Sequence, residues 1–142
     1  LVGSEMCIRD SAYVGSQTHI YNDTLRNNLT LWNEAITDTH IKEVLERVNL
    51  LSFLSRIDEQ VSDGSFSEGQ KQRIGLIRAF LKGCSVVIFD EATANLDHNN
   101  ATRIEHLLLS NPNITYITVT HHLIKENEPY FDKIIRLGEA TE

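Results

Sequence analysis

The strongest constraint on this chain is the stretch from Phe66 to Asp97, FSEGQKQRIGLIRAFLKGCSVVIFDEATANLD. Ser67 followed three residues later by Gln70 is a capping box, which predicts a helix opening here. Such a start leaves backbone N–H groups and the positive end of a dipole facing outward, and Gly69 lets a bound oxyanion approach the backbone closely. Ile74, Ile77 and Leu81 share one face of the helix and basic residues the other, and Lys82 with Gly83 predicts its end. The next run, VVIF, is continuously apolar rather than alternating, so it predicts a parallel strand buried on both faces. That strand ends in two adjacent acids, Asp90 and Glu91. A carboxylate at the carboxyl end of a parallel strand lies in the crevice where open α/β sheets take ligands. Asp90 is therefore placed to hold Mg2+, directly or through water, and Glu91 to orient or deprotonate a water attacking a nucleotide phosphate.

The same residues carry a resemblance. FSEGQKQR followed by VVIFDEATANLD resembles the signature motif, Walker B strand and D-loop of an ATP-binding cassette (ABC) ATPase. The resemblance implies an α/β, P-loop NTPase-like three-layer fold, present here in part, with a helical subdomain over about 23–66. It covers 12–142 as the C-terminal part of such a domain, and leaves 1–11 as a leader foreign to the family. None of the seven glycines stands in a GxxxxGK[ST] arrangement, so an N-terminally truncated domain without its Walker A loop is expected.

Upstream of the signature, Ala12 to Gln17 reads as a strand running into a loop that resembles the family's Q-loop, and THIYNDTLRNNL resembles the segment that follows it in exporters. Asp38 is a candidate N-cap for a helix in which Ile41, Val44, Leu45 and Val48 recur at i, i+3, i+4 and i+7. A second short helix is expected through LLSFLSR, and Asp58 to Ser65 is acidic and turn-forming, open to two readings: a shortened form of the loop that precedes the signature in exporters, which it resembles, or a plain surface loop. Downstream, Asp97 caps a helix that turns Ile104, Leu107 and Leu108 inward. Ile114 to Val119 is rich in β-branched residues and reads as the next strand, ending at His121, which resembles the family's switch histidine. Lys133 to Gly138 is expected as a final strand.

Composition bounds the partners. A net charge of −7 argues against a nucleic-acid surface, and no apolar run is long enough to cross a bilayer. Two cysteines in no pattern suit a reducing setting.

What the resemblance implies for function is ATP hydrolysis with Mg2+, driving transmembrane export from the cytoplasmic face of a membrane. Glu91, His121 and Gln17 would be catalytic, with Asp90 and Gln17 on the metal. Ser67, Gly69, Gln70 and Asp97 would meet nucleotide across a head-to-tail dimer with a second ABC ATPase domain. The other implied partner is a transmembrane domain, fused or separate. The segment alone is expected to be inactive for want of a Walker A loop. The competing readings are a non-transport ABC ATPase and a non-catalytic remnant. A separation of fifty positions from Gln17 to Ser67, without sustained heptads, disfavours a coiled-coil insertion of the kind found in SMC-like ATPases.

Overall fold

The computed structural model describes residues 10–137 apart from Ser16 and Ala94. Most of the expected leader, residues 1–9, lies outside the described residues. Strand β1 (Ser11–Val14) leads to the two-residue strand β2 (Asp23–Thr24), helix α1 (Leu25–Thr30) and helix α2 (Asp38–Arg47). A 3-10 segment (Leu51–Arg56) and strand β3 (Gln60–Val61) precede helix α3 (Glu68–Lys82), strand β4 (Val86–Asp90), helix α4 (His98–Leu109) and strand β5 (Thr115–Val119).

Three strands form a parallel sheet in the order β1-β4-β5, in which Tyr13, Ile88 and Ile117 stand in one row and Val14, Phe89 and Thr118 in the next. The crossovers run through α3 and α4, giving the α/β class expected. Ser11 pairs with Val86, so β1 enters the sheet one residue before Ala12.

Helix α3 forms where its ends predict. Ser67 Oγ accepts from the Gln70 N–H at 3.3 Å, Gln70 Oε1 accepts from the Ser67 N–H at 3.0 Å, and Gly83 closes the helix at φ +70°. Ile74 and Ile77 are fully buried. Helix α2 turns Ile41, Val44, Leu45 and Val48 into the same core.

Several expectations change. The cap of α2 is Thr37, whose hydroxyl accepts from His40 N–H, and Asp38 is the first helical residue, where its charge still meets the positive end of the dipole. The acidic loop 58–65 contains β3, which pairs antiparallel with β2 and buries Val61. The basic residues on the other side of α3 are engaged with the rest of the fold. Arg78 donates from Nε to the Asn28 carbonyl at 2.7 Å and from a terminal nitrogen to the His19 carbonyl at 2.8 Å, tying α3 to α1 and to the loop after β1. Lys71 is held between Asp63 at 2.6 Å and Glu68 at 3.0 Å.

The strand VVIF is not buried on both faces. Val87 and Phe89 are 1% and 2% exposed, whereas Tyr13, Ile117 and Val119 on the other side of the sheet are 66%, 48% and 58% exposed. Among the described residues the helices cover one face only. Residues 133–137 form no strand, because they find no ladder partner, and Leu137 stays 92% exposed.

Candidate active site

Because β1, β4 and β5 run parallel, the loops that leave their carboxyl ends gather at one edge of the sheet. Gln17 follows β1, Asp90 ends β4 with Glu91 directly after it, and His121 follows β5. The Nδ1 of His121 lies 2.9 Å from Glu91 Oε1, with both side chains open to solvent. Glu91 reaches this position from a left-handed backbone, φ +53°, and its N–H donates to the Val119 carbonyl at 3.0 Å. A non-glycine residue in that region is strained, so the bond to β5 fixes a kink that turns the side chain out of the strand direction.

Asp90 has a partner that sequence reasoning missed. The Tyr13 hydroxyl donates to Asp90 Oδ2 at 2.7 Å, and this bond, more than burial, pushes the phenol pKa up. The signal lies in the strand pairing: Tyr13 is level with Ile88, two residues before Asp90, so the two side chains share a face. Among the described residues, the Gln17 side chain makes no hydrogen bond to Asp90, Glu91 or His121.

The second group of predicted residues collects at the N-terminus of α3. Ser67 and Gln70 are engaged in the capping box, with neighbouring N–H groups facing outward. Gly69 is required by the protein itself: a Cβ there would stand 2.8 Å from the Asn95 carbonyl oxygen. The turn after β4 therefore rests on the start of α3, and the acids and the helix terminus are joined through backbone contact. At Gly75, further along α3, a Cβ would stand 2.7 Å from Thr18 Oγ1, so the Thr18 side chain from the loop after β1 packs directly on the helix backbone.

Asp97 caps α4, accepting from the Asn100 N–H at 3.0 Å and from Asn100 Nδ2 at 2.6 Å. The backbone bond above all holds its carboxyl below the usual range. Arg73, near Asp97, donates from Nε to the Gly69 carbonyl at 3.2 Å, and burial lowers its pKa.

Among the described residues no group of three or more His, Cys, Asp or Glu side chains is arranged for a metal. The donor at the end of β4 is the partly exposed carboxylate of Asp90, and Mg2+ is a cation that keeps its waters and takes one or two protein carboxylates beside substrate phosphates.

A family model described as ABC transporter matches residues 6–94 of the 142. The chain belongs to the ABC transporter family. Its resemblance to an ABC cassette extends over most of its length. A probable ABC transporter ATP-binding/permease protein of Haemophilus influenzae is 34% identical over 110 residues, covering 72% of this chain and 20% of that protein. An ATP-dependent lipid A-core flippase of Desulfotalea psychrophila is 31% identical over 138 residues, covering 92% and 24%. The glutathione/L-cysteine transport system ATP-binding/permease protein CydC of Haemophilus influenzae is 33% identical over 130 residues, covering 86% and 22%. The chain thus spans a fifth to a quarter of the length of these ABC relatives. In fold it is similar to a bacterial Atm1-family ABC exporter solved with ATP bound, with a TM-score of 0.72 at 21% identity, over 80% of this chain and 21% of that one. Among the described residues no helix is long and apolar enough to cross a membrane.

Proposed function

We propose that this chain is part of the ATP-hydrolysing cassette of an ABC exporter, acting at the cytoplasmic face of a membrane. The observation that carries the reading is the 2.9 Å contact between Glu91 and His121, one residue beyond Asp90 at the carboxyl edge of a parallel sheet. Glu91 takes the role of orienting the attacking water and accepting its proton. His121 holds the terminal phosphate and, through its other ring nitrogen, steadies Glu91. Asp90, with Gln17, would hold Mg2+, which offsets charge on the phosphates when bound. The Tyr13 hydroxyl occupies only Asp90 Oδ2, which leaves Oδ1 for the metal or its water.

Ser67, Gly69 and Gln70 serve a different nucleotide. The outward N–H groups of α3 suit the terminal phosphate held by a second cassette, with Asp97 at the same seam, so that ATP joins two copies head to tail. Hydrolysis then removes the shared ligand and the pair opens. The loop after β1 and the helical region around α1 and α2 would face a transmembrane domain. A net charge of −7 argues against a nucleic-acid partner. The chain by itself is expected to bind ATP poorly and not to turn over, since no GxxxxGK[ST] loop is present in its sequence.

The test uses Glu91→Gln. In a longer protein carrying this segment it should stop hydrolysis yet leave ATP bound, and gel filtration with ATP should show a trapped dimer. A monomer alone under those conditions counts against the role of Glu91. In the 142-residue chain, hydrolysis that persists unchanged in Glu91→Gln would overturn both the role and the expected inactivity.

A further inference from the structure

Glu105 lies in the middle of α4 and is 3% exposed, and its hydrogen-bond partners are neutral. Asn127 Nδ2 donates to its Oε2 at 3.0 Å and the Tyr116 hydroxyl donates to its Oε1 at 3.3 Å. Asn127 is itself buried, and its Nδ2 also donates to the Thr102 carbonyl at 3.0 Å. Polar groups removed from water to this degree persist only where their bonds are made, so the arrangement locks three pieces of chain together: α4, β5 and the segment that follows β5.

That segment carries His121. Its beginning is fixed where Glu91 N–H bonds the last residue of β5, Val119, and where Thr120 Oγ1 accepts from the His122 N–H at 3.0 Å. Its far end is Asn127, seated in α4. Between them two exposed contacts tie the segment down, His98 with Glu126 at 3.2 Å and His121 with Glu91 at 2.9 Å, and exposed pairs of this kind contribute little.

We propose that Glu105 and Asn127 form a clamp that positions the loop carrying His121 against Glu91. The two are positioning residues, since neither reaches the acids of the site. Their part in catalysis rests on the reading of His121 given above. Helix α4 begins at the Asp97 cap, directly after the turn that leans on Gly69, so one rigid helix meets the signature end and the histidine end of the site.

The test is amide hydrogen exchange, followed residue by residue by NMR in the 142-residue chain without nucleotide. Asn127→Ala should raise exchange across residues 121–128 by about tenfold, the effect on local opening of losing buried hydrogen bonds. Amides of α3 should keep their wild-type rates, and the contact between the His121 ring and the Glu91 side chain should weaken. Glu105→Gln, which keeps an oxygen for Asn127 Nδ2, should stay near wild type. Unchanged exchange in Asn127→Ala, or an equal rise throughout α3, overturns the clamp. If Asn127→Ala does not fold, Tyr116→Phe decides: a smaller rise confined to the same segment supports the clamp, and no rise overturns it. In a longer active protein, Asn127→Ala should lower kcat for ATP while KM holds. Local exchange that rises with kcat unchanged keeps the clamp and removes His121 from the reaction, so the two readings fail separately.

Discussion

The two faces of the parallel sheet are made from similar residues and end in opposite circumstances. On one, Val14, Val87 and Phe89 meet the apolar sides of α3 and α4 and lose nearly all contact with water. On the other, Tyr13, Ile117 and Val119 stand largely exposed. Alternation in the strand decides which side chains share a face, and only the packing of helices decides which face is covered. The chemistry follows the open side: Asp90 falls in the same alternation as Ile88 and receives the hydroxyl of Tyr13 there. A carboxylate on the covered side would be stripped of water with no cation to meet it, whereas on the open side it remains available to a hydrated metal ion.

The largest effect that tests this contrast comes from the covered face. Phe89→Ala removes a ring that is 2% exposed and packs edge-on against Tyr116 at 5.2 Å between centroids. It should cost about 3–5 kcal/mol in urea unfolding, the range for deleting a buried aromatic. A cost near that of a surface change would mean that the helices do not hold the covered face as described.

Much of this architecture is legible in the sequence, for local reasons. Ser67 with Gln70, Gly83, and the apolar spacing of Ile41 to Val48 each specify structure through neighbours within one or two turns. Asp97 is legible for the same reason, and so are the strands of β4 and β5. What escapes depends on distant partners. A run such as VVIF reads the same whether one face or two are covered. Thr37 and Asp38 are adjacent candidate caps, and the choice turns on where the helix phase places its first turn. Lys133 to Leu137 has strand-forming residues, yet a strand exists only beside another. Glu105 was the harder case, because it sits with Ala101, Ile104 and Leu108 on the inward stripe of α4 while its partner, Asn127, arrives from beyond the next strand.

Glu105 gives the second test, through pH. Burial, more than its bonds to Asn127 and Tyr116 offset, raises its pKa above the ordinary value for glutamate. The folded chain thus holds that proton more tightly than the unfolded one. The group's contribution to stability is fully present below the unfolded value of about 4.3 and is lost as pH rises through the folded value. Asp58, bonded to Arg26, and the cap Asp97 have lowered values and act in the opposite sense, losing their contribution as pH falls. The informative quantity is therefore the difference between wild type and Glu105→Gln. The variant should gain relative stability as pH rises from about 4 to 7, and a flat difference across that window would show that Glu105 meets water.

A smaller effect is expected at the rim, where α3 begins. Ser67→Ala removes the hydroxyl that accepts from Gln70 N–H and should cost about 1 kcal/mol, whereas Ser67→Gly should cost only a few tenths. Thermal unfolding of the two variants separates a capping role from a packing one, since Ser67 is exposed and the two changes remove the same hydroxyl. In the proposed dimer both variants should weaken ATP-dependent pairing beyond what the loss in stability accounts for, because there the hydroxyl would face the second nucleotide. Equal dimerisation in wild type and Ser67→Ala would leave Ser67 with its cap alone.

The smallest effect is the sharpest check on the comparison with which the two faces began. Ile117 pairs in the central row with Ile88 and Tyr13 and is as apolar as anything on the covered side, yet it is 48% exposed. Ile117→Thr keeps the β-branched shape and its preference for a strand while lowering the apolar area that meets water, so stability should move by no more than about 0.5 kcal/mol. The same exchange at a covered position would bury a hydroxyl without a partner and cost several times as much. If Ile117→Thr proved as damaging as Phe89→Ala in the isolated chain, something must cover the open face in solution, and a concentration-dependent unfolding midpoint would identify that cover as a second copy. A midpoint independent of concentration, with the small effect expected, leaves the open face bare and Asp90 accessible from it.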